Sequence, residues 1–216
     1  MDGLLLNTEV LYTRVQEHLT SSNGGRPFTM QLKSKMMGKK ALDAAEIYVT
    51  ELGLTHVFSP SEFVAAREAL LDEMFERETE LMPGAERLLL RLHAGGVPMA
   101  LATSSHRRHY EIKTSRHRAL FEKVFGERVV TGDMVDVGKP DPAIFFKAAE
   151  LLGVEAGSCV VFEDAVSGIE AARRAGALAV MVPDPAFDDE RYTKDADVVY
   201  RSLEEVNFNE LGISLK

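Results

Sequence analysis

The 216-residue chain is long enough for one domain, or for one domain with an insertion. Its formal net charge of −9 argues against a general nucleic-acid binder or an anionic-membrane binder, and it has no apolar run long enough to span a bilayer. A single cysteine, Cys159, excludes an intrachain disulfide framework and fits a reducing compartment. We expect a cytoplasmic monomer that binds neither nucleic acid nor membranes.

The first third of the chain predicts helices alone. Apolar residues recur at helical spacing in three stretches: Leu11, Val15 and Leu19; Leu42, Ala45, Val49 and Leu52; Phe63, Ala66, Leu70 and Met74. The first stretch begins at Thr8 and the second ends at Gly53. The third follows a capping box at residues 59–62, with a proline in the first helical position. Residues 12–81 are therefore expected to form a helical domain.

After a Pro-Gly boundary at residues 83–84, short apolar runs alternate with helical stretches. The runs occupy residues 97–102, 128–131, 159–162, 178–182 and 197–200. A helix carrying Ala85, Leu88, Leu89 and Leu92 precedes the first run, a capping box of Ser167 and Glu170 opens another helix, and Ser202 starts a terminal one. This alternation predicts a three-layer, doubly wound parallel α/β sheet of the Rossmann-like kind. It comprises residues 1–11 and 82–216, with the helical domain inserted.

A predicted helix follows Lys139 in the second half of the chain. Asp141 can cap that helix and Pro142 can occupy its first turn, while Gly153 ends it. Its apolar face is expected to consist of Ile144, Ala148, Leu151 and Leu152. Lys139 itself is placed in the preceding loop, at no packing position, so its removal is expected to change stability little.

Charged residues meet at the end of the 159–162 run. Glu163 and Asp164 follow this buried strand, and ligands bind at the carboxyl ends of strands in open parallel α/β sheets. Together with Lys139, these carboxylates suit a phosphate group and a divalent metal. The simpler alternative is a surface lysine beside an ordinary capped turn.

Two further strand ends carry candidate groups. Thr103 follows the 97–102 run and can donate its hydroxyl to an anion, although such a threonine is often only a cap. Asp2 precedes Gly3 in a tight exit towards a helix and can act as an acid/base, unless it is simply solvated. Three histidines, His106, His109 and His117, lack metal-ligand spacing and are expected in a polar surface segment.

Four motifs, in this order, resemble those of the haloacid-dehalogenase-like phosphohydrolases. They are residues 2–4 (Asp-Gly-Leu), 101–105 (Leu-Ala-Thr-Ser-Ser), 138–142 (Gly-Lys-Pro-Asp-Pro) and 162–165 (Phe-Glu-Asp-Ala). The likeness covers nearly the whole chain and places the helical domain where the family has its cap. Residues 37–42, 81–86 and 113–117 further resemble the pseudouridine-5′-phosphatase branch.

The resemblance implies magnesium-dependent hydrolysis of a small phosphorylated metabolite through a phosphoaspartate, with pseudouridine 5′-phosphate as a candidate. Asp2 would be the acid/base, and Thr103 and Lys139 would hold the phosphoryl oxygens. The predicted metal ligands are Asp2, Glu163 and Asp164, and Gly3 and Ser104 are predicted to bind the substrate. Gly38, Lys39 and Lys40 are predicted to bind it as well, because they form a glycine-containing turn with two cations in the helical domain. A sugar phosphomutase of the same family is the alternative enzyme.

The family pattern is Asp-x-Asp-Gly, and this sequence begins at the x. The resemblance therefore places the nucleophile immediately before Met1, and the strand that carries it before that. The chain as written is expected to lack turnover and to leave two strands without a ladder partner. Two explanations stay open: a longer natural protein, or a catalytically dead module that binds phosphoesters.

Overall fold

A computed structural model of the chain describes residues 1–36, 41–184 and 193–215. The chain divides into two compact units, one formed by Met1–Asn7 with Thr79–Lys216 and the other by Thr8–Glu78. No helix among the described residues is long and apolar enough to cross a membrane.

The described part of the second unit is helical. Its helices are α1 (Thr8–Ser22), α2 (Met30–Met36), α3 (Ala41–Glu51) and α4 (Pro60–Glu78). The predicted start of α1 at Thr8 and the predicted capping box of α4 are confirmed. In that box the Ser59 N–H donates to Glu62 Oε2 at 2.8 Å, and the Glu62 N–H donates to Ser59 Oγ at 3.3 Å.

The core of the helical unit is aromatic. The ring of Tyr48 stacks on that of Phe63 with centroids 3.9 Å apart, and both side chains are fully buried. The prediction for α3 was wrong at Leu42, which is 56% exposed, because the helix turns Ala44 and Tyr48 inward instead.

The other unit contains parallel strands, as the sequence predicted. They are β1 (Leu101–Ala102), β2 (Val129–Val130), β3 (Val160–Glu163), β4 (Leu178–Met181) and β5 (Val198–Val199). β1 pairs with β2, and the order β3-β4-β5 forms a second sheet. The predicted strand over 97–102 was too long at its start, because the Val97 N–H donates to the Leu92 carbonyl and completes the turn after a helix.

Helices cover both faces of these strands, which gives the predicted three layers. They are α5 (Ala85–Ala94), α6 (Arg107–Thr114), α7 (Arg118–Phe125), α8 (Ala143–Leu152) and α9 (Val166–Arg174). Successive strand residues point to opposite faces. Val129 and Val180 join the cluster of α5 and α7, whereas Val130 and Ala179 join that of α8 and α9. Burial on both faces explains the continuous apolar runs of the sequence.

Several predicted helix details differ in the structure. Leu151 is 42% exposed, and α8 buries Phe145 and Ala149 beside Ile144 and Ala148. Ser167 lies inside the first turn of α9, whose N-cap is Ala165, so it cannot cap the helix. The terminal helix is only a 3₁₀ turn, Leu203–Glu205, with the Glu204 N–H donating to Ser202 Oγ at 3.2 Å.

An apolar cavity of about 330 Å³ lies between β1 and β3. Residues of both strands line it, together with Met1, Leu5 and Leu88. Within the described residues β1 pairs only with β2 and β3 only with β4. Each of these strands therefore has one edge without a β-ladder partner on this side.

Candidate active site

The end of β3 delivers two adjacent carboxylates, Glu163 and Asp164. Glu163 is 5% exposed, and its carboxyl group lies against Gly168 in the first turn of α9. A Cβ at Gly168 would stand 2.2 Å from Glu163 Cδ. A side chain at Gly168 would therefore displace this carboxylate from its position.

Lys139 and Glu163 form a buried ion pair. The Lys139 ammonium contacts Glu163 Oε1, with side-chain exposures of 10% and 7%, and lies 5.0 Å from the ring centroid of Phe145. The expectation that Lys139 lies at no packing position was therefore wrong. An ammonium that loses its hydration needs such a counter-charge.

The loop after Lys139 also differs from the prediction. Asp141 Oδ1 accepts a hydrogen bond from the Ala143 N–H at 2.9 Å. Pro142 is the N-cap residue of α8, and the helix itself begins at Ala143. Asp141 thus stabilises the helix start from one residue further out than expected.

The Asp164 carboxyl group lies against Gly3. Gly3 has φ of +66°, and a Cβ there would stand 2.3 Å from Asp164 Oδ2, so glycine is required on both grounds. Burial raises the pKa of Asp164 to about 7, and the neighbouring charge of Glu163 acts in the same direction. The N-terminal ammonium and Lys139 lower the pKa in part. A positive group beside Asp164 would favour its ionised form.

Thr103 follows β1 and is 2% exposed. Its N–H donates to the Val130 carbonyl at 2.9 Å, and its Oγ1 accepts from the Ser105 N–H at 3.1 Å. The neighbouring predicted binding residue, Ser104, is exposed. The hydrogen bonds among the described residues leave the hydroxyl proton of Thr103 free to be donated.

Asp2 contacts a lysine that the sequence analysis missed as a site residue. Lys113 Nζ lies 2.7 Å from Asp2 Oδ1, and the Ser105 hydroxyl donates to Asp2 Oδ2 at 3.0 Å. Lys113 is 2% exposed on α6. Residues three apart share a face of a helix, and Lys113 follows Tyr110, which is half-buried, by three residues. This spacing was the sequence signal that Lys113 lies on the inner face of α6.

These contacts connect most of the predicted site residues. The chain of neighbours runs from Lys139 through Glu163, Asp164, Gly3, Asp2 and Ser105 to Thr103. The predicted residues Gly38, Lys39 and Lys40 lie outside the described residues. His117 is half-buried, and its Nε2 lies 3.0 Å from the Thr79 carbonyl oxygen.

The predicted metal ligands differ in how well they suit a metal ion. Of the predicted ligands, Glu163 is paired with Lys139, and Asp2 with Lys113 and Ser105. Burial, with the neighbouring charge of Glu163, raises the pKa of Asp164, so a bound cation would favour its ionised form. Within the described residues, no three His, Cys, Asp or Glu side chains form a group able to hold a metal ion. Asp164 can therefore serve as one ligand of a magnesium ion.

Comparisons with known proteins show which family the chain resembles. The sequence pattern of the hydrolase family described as haloacid dehalogenase-like hydrolase matches residues 1–176. The chain is 44% identical to (DL)-glycerol-3-phosphatase 2 of Arabidopsis thaliana, covering 99% of this chain and 89% of the relative. It is 39% identical to a probable pseudouridine-5′-phosphatase of Drosophila melanogaster, covering 99% of this chain and 91% of the relative. A putative beta-phosphoglucomutase from Thermotoga maritima superposes with a TM-score of 0.81 at 30% identity, covering 98% of this chain and 95% of that structure.

Proposed function

Since the chain belongs to the haloacid dehalogenase-like hydrolases and is a phosphatase, we propose that it hydrolyses small phosphate monoesters in a magnesium-dependent reaction. The observation that carries the proposal is the continuous set of contacts from Lys139 through Asp164 and Asp2 to Thr103. It combines a cation, a hydroxyl donor and carboxylates, which are the groups that phosphoryl transfer requires.

Lys139 and Thr103 hold the transferred phosphoryl group in this proposal. The ammonium of Lys139 offsets the charge that spreads over the phosphoryl oxygens, and Thr103 donates its hydroxyl proton to one of them. Glu163 keeps Lys139 in place through the buried ion pair. Asp164 would be a magnesium ligand, and the metal when bound supplies positive charge to the phosphate.

Asp2 carries the proton in both halves of the reaction. An attacking carboxylate, which the family resemblance implies, forms a bond to phosphorus as the ester oxygen leaves. Asp2 gives its proton to that oxygen, then takes one from the water that attacks phosphorus and releases inorganic phosphate and the carboxylate.

The names of two relatives provide substrate candidates, glycerol 3-phosphate and pseudouridine 5′-phosphate. Both are small phosphate monoesters, in line with the metabolite expected from the sequence. We further propose that Lys39 and Lys40 of the helical unit help to select between them. Lys39→Ala and Lys40→Ala are then expected to change the ratio of rates on the two substrates more than the rate on p-nitrophenyl phosphate.

Release of inorganic phosphate tests the proposal. The protein, expressed from its complete reading frame, is expected to release phosphate from one or both candidates with Mg²⁺ and to lose this activity in EDTA. Lys139→Ala and Asp164→Asn should each lower kcat/KM, by about 10²-fold or more for Lys139. Lys147→Met is the matched control, because Lys147 donates to the Met134 carbonyl and contacts none of these groups.

The alternatives predict other outcomes. A phosphomutase, the activity named for the Thermotoga relative, would interconvert sugar phosphates without net phosphate release. A catalytically dead module would bind phosphate esters without turnover. Phosphate release that persists unchanged in Lys139→Ala and Asp164→Asn would overturn the site assignment. A cytoplasmic location remains part of the proposal.

A further inference from the structure

Lys113 is a buried cation that the proposed chemistry does not use. Its side chain is 2% exposed on α6, and its ammonium contacts both Asp2 Oδ1, at 2.7 Å, and Ser105 Oγ, at 3.1 Å. The Ser105 hydroxyl in turn donates to Asp2 Oδ2 at 3.0 Å. The three groups form a closed triangle in which each oxygen of the Asp2 carboxyl group has its own partner.

This triangle fixes the plane of the carboxyl group. A single contact would leave the Asp2 side chain free to rotate, whereas contacts on both oxygens leave one orientation. Lys113 is itself held by a helix, and an ammonium out of water keeps its counter-ion. Ser105 is held through its N–H by Thr103 Oγ1. The orientation of Asp2 is therefore set by two neighbours that are themselves held in place.

We propose that Lys113 is a positioning residue for proton transfer, acting through Asp2 without touching the substrate. The inference rests on the proposed acid/base role of Asp2. Proton transfer needs donor and acceptor atoms about 2.6–3.2 Å apart, so a carboxyl group free to rotate spends little time in reach of the leaving oxygen. Ser105 supports the same orientation from the second oxygen.

Two substrates with different leaving groups test this role. The alkoxide of glycerol 3-phosphate must be protonated as it leaves, whereas p-nitrophenolate leaves without a proton. Because kcat/KM covers the reaction only through loss of the leaving group, it omits the later attack by water. In Lys113→Met, kcat/KM is expected to fall at least about tenfold more for glycerol 3-phosphate than for p-nitrophenyl phosphate. Lys113→Arg should recover part of that selective loss, and Ser105→Ala should show a smaller one.

Lys147→Met serves as the control, with an unchanged ratio between the substrates. Equal losses on both substrates in Lys113→Met would assign Lys113 a structural role and overturn the inference. If Lys113→Met does not fold, an unchanged ratio in both Lys113→Arg and Ser105→Ala has the same meaning.

Asp2→Asn separates this inference from its premise. If Asp2→Asn lowers kcat/KM more for glycerol 3-phosphate than for p-nitrophenyl phosphate, but the Lys113 and Ser105 variants do not, only the role of Lys113 is rejected. Equal losses on both substrates in Asp2→Asn reject the acid/base role itself.

Discussion

The carboxyl group of Glu163 occupies the space that a side chain at Gly168 would need. A Cβ at Gly168 would stand 2.2 Å from both Cδ and Oε2 of Glu163. Alanine is ordinarily the better helix residue, by about 1 kcal/mol. Here the overlap is with a buried carboxylate bound to Lys139, so the steric cost outweighs the helix preference and alanine is expected to destabilise the protein.

Gly168→Ala is therefore expected to lower both the midpoint of thermal unfolding and phosphatase activity, because Glu163 must move away from Lys139. Gly157→Ala is the matched control, since its Cβ would meet only the Gly176 carbonyl oxygen at 3.6 Å, an ordinary contact. Thermal denaturation and kcat/KM measure the two effects. A Gly168→Ala protein as stable and active as the control would contradict the close contact.

The ion pair of Lys139 and Glu163 predicts strong coupling between two substitutions. Lys139→Met alone leaves a buried carboxylate without its counter-ion, at a cost of about 3–5 kcal/mol in the free energy of unfolding. Lys139→Met combined with Glu163→Gln should cost less than the sum of the two single variants. Urea denaturation of the four proteins gives the coupling energy.

An exposed ion pair provides the comparison. Lys35 contacts Glu51 at 2.8 Å with side-chain exposures of 49% and 43%. Lys35→Met should change the free energy of unfolding by less than about 1 kcal/mol. Additive effects of Lys139→Met and Glu163→Gln would show that the two side chains do not form the pair.

The raised pKa of Asp164 predicts a pH dependence of stability. The pKa is about 7 in the folded chain and 3.8 in the unfolded chain, so the folded state binds the extra proton between these values. Its contribution to stability is complete below the unfolded pKa and is lost as pH rises through 7. In EDTA, the unfolding midpoint of wild type relative to Asp164→Asn is therefore expected to fall between about pH 4 and pH 8. A difference that stays constant across this range would exclude the shift.

The capping box of α4 offers a test within the helical unit. Ser59→Ala removes the acceptor of the Glu62 N–H and is expected to lower the free energy of unfolding by about 1 kcal/mol. Ser21→Ala removes an exposed hydroxyl that donates to the His18 carbonyl and should have a smaller effect. Chemical denaturation of both variants decides the order, and a larger loss for Ser21→Ala would rule out the box as the stabilising element.

Features that depend on local spacing could be predicted from the sequence. The apolar residues Leu88, Leu89 and Leu92 all lie inward on α5, and Gly153 ends α8 in the left-handed conformation. The positions of the strands also follow from the apolar runs. The lengths of the strands do not follow from these runs, because they depend on which residues hydrogen-bond to a neighbouring strand. The Val97 N–H donates to the Leu92 carbonyl at the end of a helix instead.

Features that depend on distant neighbours could not be predicted. The inward turn of Tyr48 in place of Leu42 reflects its stacking on Phe63 of another helix. One of the two reasons for glycine at Gly3 is the contact with Asp164, which lies far along the chain. The role of Lys113 likewise depends on Asp2 and Ser105, which only the fold brings to it.

The two points where the chain leaves and re-enters the α/β unit lie side by side. Leu6 pairs with Leu81 in an antiparallel bridge, the Asn7 N–H donates to the Glu80 carbonyl at 2.9 Å, and the Met82 N–H donates to the Leu5 carbonyl at 2.8 Å. The helical unit is thus inserted where a two-residue hairpin turn would suffice. For an engineer this is a single attachment point: the insertion can be exchanged for a short turn, or for another domain with adjacent termini, while the paired segments that carry it keep their register.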